Sequence, residues 1–179
     1  MKQSKNNKIG FTCSSFDILH PGHIIMLKDC KTVCEYLIIG LQTDPTIDRN
    51  TKNKPIQSFE DRKIMIESIR YVDEVVEYTT EDELYGIIES INPDVRIIGT
   101  DWKEKEYTGF QLNIPIHWHI RSHNHSTTNL RLKIAKAEKL KDRIGYVSQQ
   151  IAAANRTDGW TNAGMKEELI RLIEELNSI

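Results

Sequence analysis

The stretch that decides the fold is SSFDILHPGHIIML, residues 14–27. It follows an apolar run from Lys8 to Cys13, which predicts a short β-strand. From Pro21 to about Glu35 apolar residues recur at helical spacing, which predicts an α-helix. Proline suits the first helical position because its missing N–H would have no partner there. The stretch is therefore read as the turn between a first strand and a first helix.

Apolar runs and helical patterns alternate along the rest of the chain. Tyr36–Leu41 (YLIIGL) is typical of a parallel strand covered on both faces. The other predicted elements are strands at 74–78, 95–99 and 114–120, and helices at 58–69, 81–91, 126–143 and 165–179. This order predicts an α/β fold with a Rossmann-like open, mostly parallel sheet and helices on both faces. We assign residues 1–143 to the main domain and residues 144–179 to a helical C-terminal extension.

Two histidines stand at the predicted strand–helix junction. His20 and His23 are three residues apart, so their rings share one face of the helix start. A helix start offers unpaired N–H groups and the positive end of the helix dipole, which attract phosphate. Gly22 allows a ligand to approach the backbone. The turn is therefore predicted to bind a phosphate group at the carboxyl end of the first strand, where open parallel sheets bind ligands.

The composition excludes several classes of partner. The 179 residues carry a formal net charge of -2 and 39% hydrophobic residues, without a basic stripe, so we expect no nucleic-acid binding. We expect no membrane association either, since no apolar run reaches the length of a span and MKQSKNNK lacks the apolar core of a signal peptide. Three cysteines without a CxxC pair suit a reducing compartment, and we expect a cytoplasmic protein.

Five segments in matching order carry a resemblance to a known family. They are FDILHPGH at 16–23, KNKP at 52–55, EDRKIMIESIRYVDEV at 60–75, GTDW at 99–102 and RSHNHSTT at 121–128. The chain resembles the cytidylyltransferase family of HxGH nucleotidyltransferases over about residues 8–135, most closely the glycerol-3-phosphate cytidylyltransferases. The resemblance implies that residues 1–143 form a nucleotidyltransferase domain that binds CTP and a small phosphorylated substrate.

The resemblance also implies roles for individual residues. It makes His20, His23, Lys52 and Arg121 the catalytic set, with Lys52 reaching in from a mobile loop. The residues expected to contact the nucleotide or its phosphates are Ser14, Ser15, Phe16, Gly22, Asp101, Ser126, Thr127 and Thr128. Those expected to contact the substrate are Asp44, Arg62, Arg70 and Trp102. No protein metal site is expected, because Mg²⁺ would be carried mainly by the nucleotide; a homodimer is implied as well.

The residues support part of this assignment independently. Ser126 can cap the helix that follows it, which makes that helix start a second anion site. Arg121 can bind a phosphate through two parallel N–H donors. Arg62 and Arg70 are eight residues apart in EDRKIMIESIR, the segment of the helix predicted to end at about Ile69, so they are expected on nearly the same face. Surface ion pairs with Glu60, Glu67 or Asp73 are the alternative role.

The reaction expected is CMP transfer from CTP to glycerol 3-phosphate, which gives CDP-glycerol and pyrophosphate. Three alternatives stay open at this point: another phosphate ester as acceptor, ATP as donor, and a catalytically silent nucleotide-binding module. Four further histidines, His117, His119, His123 and His125, fall within nine residues. They are interpreted as polar-face and loop residues in preference to a metal site.

Overall fold

The computed structural model describes residues 7–122, 124–157 and 163–179, without the side chains of 155–157. In chain order the elements are β1 (Ile9–Ser14), α1 (Pro21–Cys30), β2 (Tyr36–Gln42), α2 (Phe59–Glu67), β3 (Glu74–Tyr78), α3 (Glu81–Ile91), β4 (Val95–Gly99), β5 (Ile116–His119), α4 (Thr127–Thr157) and α5 (Ala163–Asn177). Short 3₁₀ turns at Thr100–Trp102 and Phe110–Leu112 lie between β4 and β5. The prediction of an α/β fold is confirmed.

The five strands form one parallel sheet in the order β3-β2-β1-β4-β5. β1 and β2 pair over their central residues, with Phe11 opposite Ile38 and Cys13 opposite Gly40. Because consecutive parallel strands need crossovers, the helices lie on the faces of the sheet. The order reverses direction between β1 and β4, which places the switch point of the sheet at the end of β1.

Side-chain alternation along the strands builds one core on each face. On the face that α1 and α2 cover, Leu27 and Ile66 pack with Leu37 and Ile39 of β2. On the opposite face Leu84 and Ile88 of α3 pack with Phe11, Ile38 and Tyr78. The continuous apolar run of β2 is explained by this double coverage, since neighbouring residues serve different cores.

Several predicted element boundaries need correction. The first helix ends at Cys30 instead of about Glu35, because the Thr32 hydroxyl donates to the Asp29 carbonyl (2.7 Å) and the chain turns. The second helix ends at Glu67, so Arg70 lies in the following turn and does not share a helix face with Arg62. These errors arise where side chain–backbone hydrogen bonds end a helix whose apolar pattern continues.

The C-terminal part differs more from the prediction. The helix expected to end near Arg143 continues to Thr157, and the amphipathic helix predicted at 165–179 is observed as α5. The chain divides into two compact units, one ending at Thr127 and one beginning at Thr128. Within the second unit Arg143 pairs with Glu168 (2.7 Å) and Lys136 with Glu175 (2.9 Å), which joins α4 to α5. The domain boundary at residue 143 stays a prediction, although it falls inside α4.

Among the described residues no helix combines the length and the apolar character that a bilayer span requires.

Candidate active site

The HPGH turn places its two imidazoles against each other at the start of α1. His20 occupies the N-cap position in an extended conformation (φ -140°, ψ 166°), and Pro21 is the first helical residue, as predicted. The rings of His20 and His23 are stacked, with centroids 3.9 Å apart and planes inclined by 14°. The His20 N–H donates to His23 Nδ1 at 3.4 Å. The shared orientation predicted for the two rings is therefore observed.

The loop before α1 has an unfavourable backbone. Phe16 and Ile18 both have φ near 47°, a left-handed conformation that side chains with a Cβ rarely adopt. Such residues persist where the surroundings fix them, and they are common at functional sites. Phe16 is buried, and its ring lies 5.2 Å from that of His23. The strained loop therefore packs directly against one of the two imidazoles.

Asp17 and Gln57 hold this loop in place. Asp17 Oδ1 accepts hydrogen bonds from the N–H groups of Ile56 (3.0 Å) and Gln57 (3.1 Å). In return Gln57 Oε1 accepts from the Ile18 N–H at 2.8 Å. The sequence analysis did not assign a role to either residue. The sequence signal for this contact was the carboxylate of Asp17 within FDILHPGH. The hydrogen-bond partners lie 39 and 40 residues further along the chain, so local spacing does not reveal them.

The start of α4 reaches the same loop. The hydroxyl of Thr127, the first residue of α4, donates to the Asp17 carbonyl oxygen at 2.9 Å. Ser126 immediately precedes the helix, and Arg121 is exposed in the loop after β5, where its Nη2 lies 3.5 Å from the His125 carbonyl. The contact brings two of the predicted phosphate-binding segments together. Thr128 begins the second unit, and its role stays a prediction.

Lys52 lies beside the GTDW segment. Its ammonium group is 5.9 Å from the centroid of the Trp102 ring, and Lys105 Nζ is 5.7 Å from the same centroid. Both distances are within the range of cation–π attraction. Asp101 is exposed, and its carboxylate occupies the space that a Cβ on Gly99 would need. The loops after β2 and β4 therefore meet around Trp102.

Arg62 has a different environment from the one predicted. Its side chain is 1% exposed, which leaves little surface for a substrate. It donates to five backbone carbonyl oxygens, those of Ser15, Gln42, Thr43, Gln57 and Ser58, at 2.6–3.3 Å. Burial lowers the pKa of the guanidinium, and the nearby Asp17 and Asp44 oppose that shift. The geometry makes Arg62 a connector between loops instead of a substrate ligand.

The remaining residues predicted to belong to the site are Ser14, Ser15, Gly22, Asp44 and Arg70. Ser14 ends β1, Ser15 contributes its carbonyl to Arg62, and Gly22 is buried in the first turn of α1. Asp44 accepts hydrogen bonds from the hydroxyl (2.7 Å) and N–H (2.9 Å) of Thr46, which lower its pKa. Arg70 is exposed, with its guanidinium 5.7 Å from the Tyr71 ring. The substrate roles of Asp44 and Arg70 stay predictions.

Two of the four clustered histidines share a carboxylate. His117 Nε2 and His119 Nδ1 lie 3.0 and 2.7 Å from Asp29 Oδ2, so β5 is joined to α1. Burial alone would raise the pKa of Asp29, but hydrogen bonds from His119 and His117 produce a net lowering. His123 lies outside the described residues. Within the described part of the chain no three His, Cys, Asp or Glu side chains form a group suited to a metal ion.

Comparison with protein families gives one match. The family described as cytidylyltransferase-like matches residues 11–154. Similar curated proteins include the bifunctional protein HldE of Wolinella succinogenes, 39% identical over 111 residues, and that of Helicobacter hepaticus, 33% identical over 142 residues. These matches cover 62% and 79% of this chain but only 23% and 29% of the relatives. An FAD synthase of Aciduliprofundum boonei is 38% identical over 93 residues, 51% of this chain and 61% of that protein.

Two solved structures share the fold. A lipopolysaccharide core biosynthesis protein from Thermoplasma volcanium aligns with a TM-score of 0.54 and 23% identity over 67% of this chain and all of that one. A pantoate–β-alanine ligase from Francisella tularensis, complexed with β-γ ATP and β-alanine, aligns with a TM-score of 0.51 and 19% identity over 98% and 79% of the two chains. At these identities the likeness concerns the fold alone.

Proposed function

The chain belongs to the cytidylyltransferase-like family, and from that premise we propose that it transfers a nucleoside monophosphate from a nucleoside triphosphate to a phosphate monoester. The products are pyrophosphate and a nucleoside diphosphate derivative of the acceptor. The chain spans about a quarter of the HldE proteins it matches, so the proposal concerns this domain.

The observation that carries the proposal is the meeting of two helix starts at one loop. The stacked histidines begin α1, and Thr127 at the start of α4 donates to Asp17 in the loop just before them. Each helix start carries the positive end of a helix dipole, which attracts anions. Two such ends beside a strand end at the switch point suit a chain of phosphates better than a single anion.

The proposed reaction is a single in-line displacement. An oxygen of the acceptor phosphate attacks the α-phosphorus, a new P–O–P link forms, and the bond to the β-phosphate oxygen breaks to release pyrophosphate. His20 and His23 donate hydrogen bonds to the α-phosphate as its charge develops, while Lys52 and Arg121 neutralise the leaving pyrophosphate. We propose that Mg²⁺ enters on the phosphate oxygens of the nucleotide. No covalent enzyme intermediate is required.

Different observations favour two different nucleotides, ATP and CTP, as the donor of the nucleoside monophosphate. The similarity to an FAD synthase favours ATP, because FAD contains an AMP half joined through a pyrophosphate link. The segments RYVDEV, GTDW and STT favour CTP with glycerol 3-phosphate, since they carry the resemblance to glycerol-3-phosphate cytidylyltransferases. We propose ATP as the preferred nucleotide donor, because its support comes from a measured sequence identity of 38%.

A pyrophosphate-release panel tests the proposal. It crosses ATP, CTP, GTP and UTP with glycerol 3-phosphate, hexose 1-phosphates, FMN and phosphoethanolamine, each with Mg²⁺. Release with one donor–acceptor pair supports the proposal and identifies the nucleotide. Nucleotide binding by calorimetry without release from any pair would support the silent binding module instead.

Replacement of His23 tests the site itself. We expect His23→Asn to lower kcat/KM by about 10²- to 10³-fold, because one hydrogen-bond donor to the transition state is lost. Asparagine keeps an acceptor for the His20 N–H, so the melting temperature should change little. Lys28→Ala, which removes a cation further along α1, serves as the matched control. Equal activity of the His23→Asn variant and the control would contradict the proposed role.

A further inference from the structure

Lys52 belongs to a long connection without regular secondary structure. The connection spans residues 43–58, between β2 and α2, and we call it the Lys52 loop. Connections of this length are uncommon in compact domains and usually carry function. The Lys52 side chain is exposed, so packing around it does not hold it in one place. The position of its ammonium group therefore depends on what holds the middle of the loop.

Two consecutive residues of the Lys52 loop bind Glu81, the first residue of α3. The Glu81 N–H donates to Asp48 Oδ2 at 2.6 Å, and a carboxylate is favourable at a helix start. Arg49 Nη2 lies 2.9 Å from Glu81 Oε1. This second contact is Coulombic, since no donor among the described residues is aligned on Oε1. The backbone and the side chain of Glu81 thus each hold one of two neighbouring loop residues.

Both sides of the Arg49–Glu81 pair are fixed to the sheet. The Thr108 hydroxyl donates to Glu81 Oε2, and the Thr108 carbonyl accepts from Arg96 Nη1 at 2.6 Å. Arg96 belongs to β4 and is 3% exposed. On the other side Arg49 Nη2 donates to Oε1 of Gln42, the buried last residue of β2, at 2.9 Å. The pair therefore connects the Lys52 loop to two rigid strand ends.

Arg49 is in turn connected to Lys52 by the backbone. The Lys52 N–H donates to the Arg49 carbonyl at 2.9 Å, and the Arg49 N–H donates to the Pro45 carbonyl at 3.2 Å. Two turns thus follow each other, with Arg49 at their junction. Because Lys52 comes three residues after Arg49 in such a turn, holding Arg49 restricts where the Lys52 side chain can reach. Correct placement of a charged group is a large part of phosphoryl-transfer catalysis.

We propose that Glu81 is a positioning residue: through Asp48 and Arg49 it holds the Lys52 loop so that the Lys52 ammonium group faces the phosphates of the nucleotide. The inference rests on the proposed function for the role of Lys52. A carboxylate near a phosphate site is unfavourable by its charge alone. Charge alone therefore predicts tighter nucleotide binding when Glu81 is neutralised, whereas anchoring of the loop predicts weaker binding.

Two substitutions break the ion pair with opposite changes in net charge. We expect Glu81→Gln and Arg49→Met each to weaken binding of ATP and CTP with Mg²⁺, measured by calorimetry, about three- to five-fold. In a Lys52→Ala background neither change should have a further effect, because both act through Lys52. Asp82→Asn is the matched control, since it removes the same charge as Glu81→Gln from the next residue of α3, which is exposed. This control should not weaken nucleotide binding.

Amide hydrogen exchange of the nucleotide-free protein gives a second readout, which does not depend on activity. In Glu81→Gln we expect faster exchange within residues 45–54, because the hydrogen bond from the Lys52 N–H to the Arg49 carbonyl opens more often. In Asp82→Asn the exchange of this segment should equal that of the unaltered protein. Equal melting temperatures of the two variants would show that the difference is local to the loop.

The outcomes separate the anchoring of the loop from the reaction itself. Tighter nucleotide binding by Glu81→Gln would overturn the inference, since the charge alone would then explain the effect. Faster loop exchange with unchanged nucleotide affinity would overturn it as well, and so would an undiminished effect in the Lys52→Ala background. If no donor–acceptor pair releases pyrophosphate while the expected differences in affinity and exchange are found, the proposed reaction is wrong and the positioning role of Glu81 is supported.

Discussion

The side chain of Trp102 attracts two lysines from different loops. Lys52 comes from the segment between β2 and α2, and Lys105 follows Trp102 after β4. A lysine side chain loses considerable rotamer entropy when it is held in one place. The indole face offsets part of that loss by a cation–π contact of about 0.5–1 kcal/mol at an exposed site. Trp102 thus acts as a positioning residue for Lys52, in addition to any contact with substrate.

Trp102→Leu should raise the KM for the nucleoside triphosphate about two- to five-fold, because the cation–π energy converts to a factor of that size. In a Lys52→Ala background the same substitution should have little further effect. Steady-state kinetics of both single variants and the double variant check this coupling. Lys103→Ala, an exposed neighbour in the same loop, is the control. Additive effects of the two single changes would show that the contact does not position Lys52.

Arg62 connects three secondary-structure elements, β1, β2 and α2. Through backbone carbonyls its guanidinium joins Ser15, just after β1, to Gln42 at the end of β2 and to Ser58, the N-cap of α2. A buried charge is tolerated only when it is fully hydrogen-bonded, and here carbonyl oxygens supply the partners. The loop that carries Lys52 begins and ends at this contact, so Arg62 fixes both ends of the loop.

Arg62→Met should lower the free energy of unfolding by about 3–5 kcal/mol, since several buried carbonyl groups lose their donor at once. Arg70→Met should change it by less than about 0.5 kcal/mol, because Arg70 is exposed beyond the helix. Urea unfolding followed by circular dichroism measures both values. If the two variants lost equal stability, the connecting role of Arg62 would be wrong.

Asp29 joins α1 to β5 through His117 and His119, and this contact gives a pH-dependent stability. The pKa of Asp29 is lowered from 3.8 in the folded state, so its contribution is present above that value and disappears as the pH falls through the lowered pKa. Asp29→Asn should cost about 1–3 kcal/mol at pH 7, with the difference from the unaltered protein shrinking below about pH 4. Urea unfolding at several pH values checks this, with Glu104→Gln as control. A constant difference down to pH 2.5 would exclude the ionised carboxylate as the cause.

The presence of each helix and strand was easier to predict from the sequence than the residues at which it ends and the contacts of its connecting loops. The apolar run of β2 is a local signal, and it predicted the strand correctly. The predicted start of the second helix at residue 58 agrees with the Ser58 cap of α2, whose hydroxyl accepts from the Asp61 N–H. The prediction ended α4 at Arg143, two residues before Gly145, although Gly145 lies within the helix and a Cβ added there would meet open space. A single exposed glycine costs only about 1 kcal/mol, which a long helix tolerates.

The candidate site was partly predictable for the same reason. The placement of His20 and His23 follows from one junction, and it was read from eight residues. Asp17 with Gln57, and Arg62 with its carbonyls, bind partners that are distant in the chain. Their roles depend on which loops meet at the sheet edge, and that information is absent from local spacing.

At the scale of the whole molecule, the charge is close to balanced, so attraction for a nucleotide must come from a few cations near the strand ends. The formal net charge is -2. At physiological salt the Debye length is about 8 Å, which screens exposed charges at larger separations. Glu67 ends α2, eight residues and thus about 12 Å from its first residue, at the far end from the Ser58 cap. The charge of Glu67 should therefore have little effect on the affinity for a nucleotide bound at the HPGH turn.

Glu67→Lys and Lys52→Glu change the net charge by the same amount in opposite directions, so they separate local from global electrostatics. We expect Glu67→Lys to change the KM for the nucleoside triphosphate less than about 1.5-fold at 150 mM salt, since screening removes its field. Lys52→Glu should raise that KM more than about 10-fold, because it replaces a nearby cation with an anion that repels phosphate. Measurements at 20 and 500 mM NaCl extend the test, as only a screened long-range effect should vary strongly with salt. A lower KM for Glu67→Lys that vanishes at high salt would mean that the whole protein surface, and not the cluster around the HPGH turn, attracts the nucleotide.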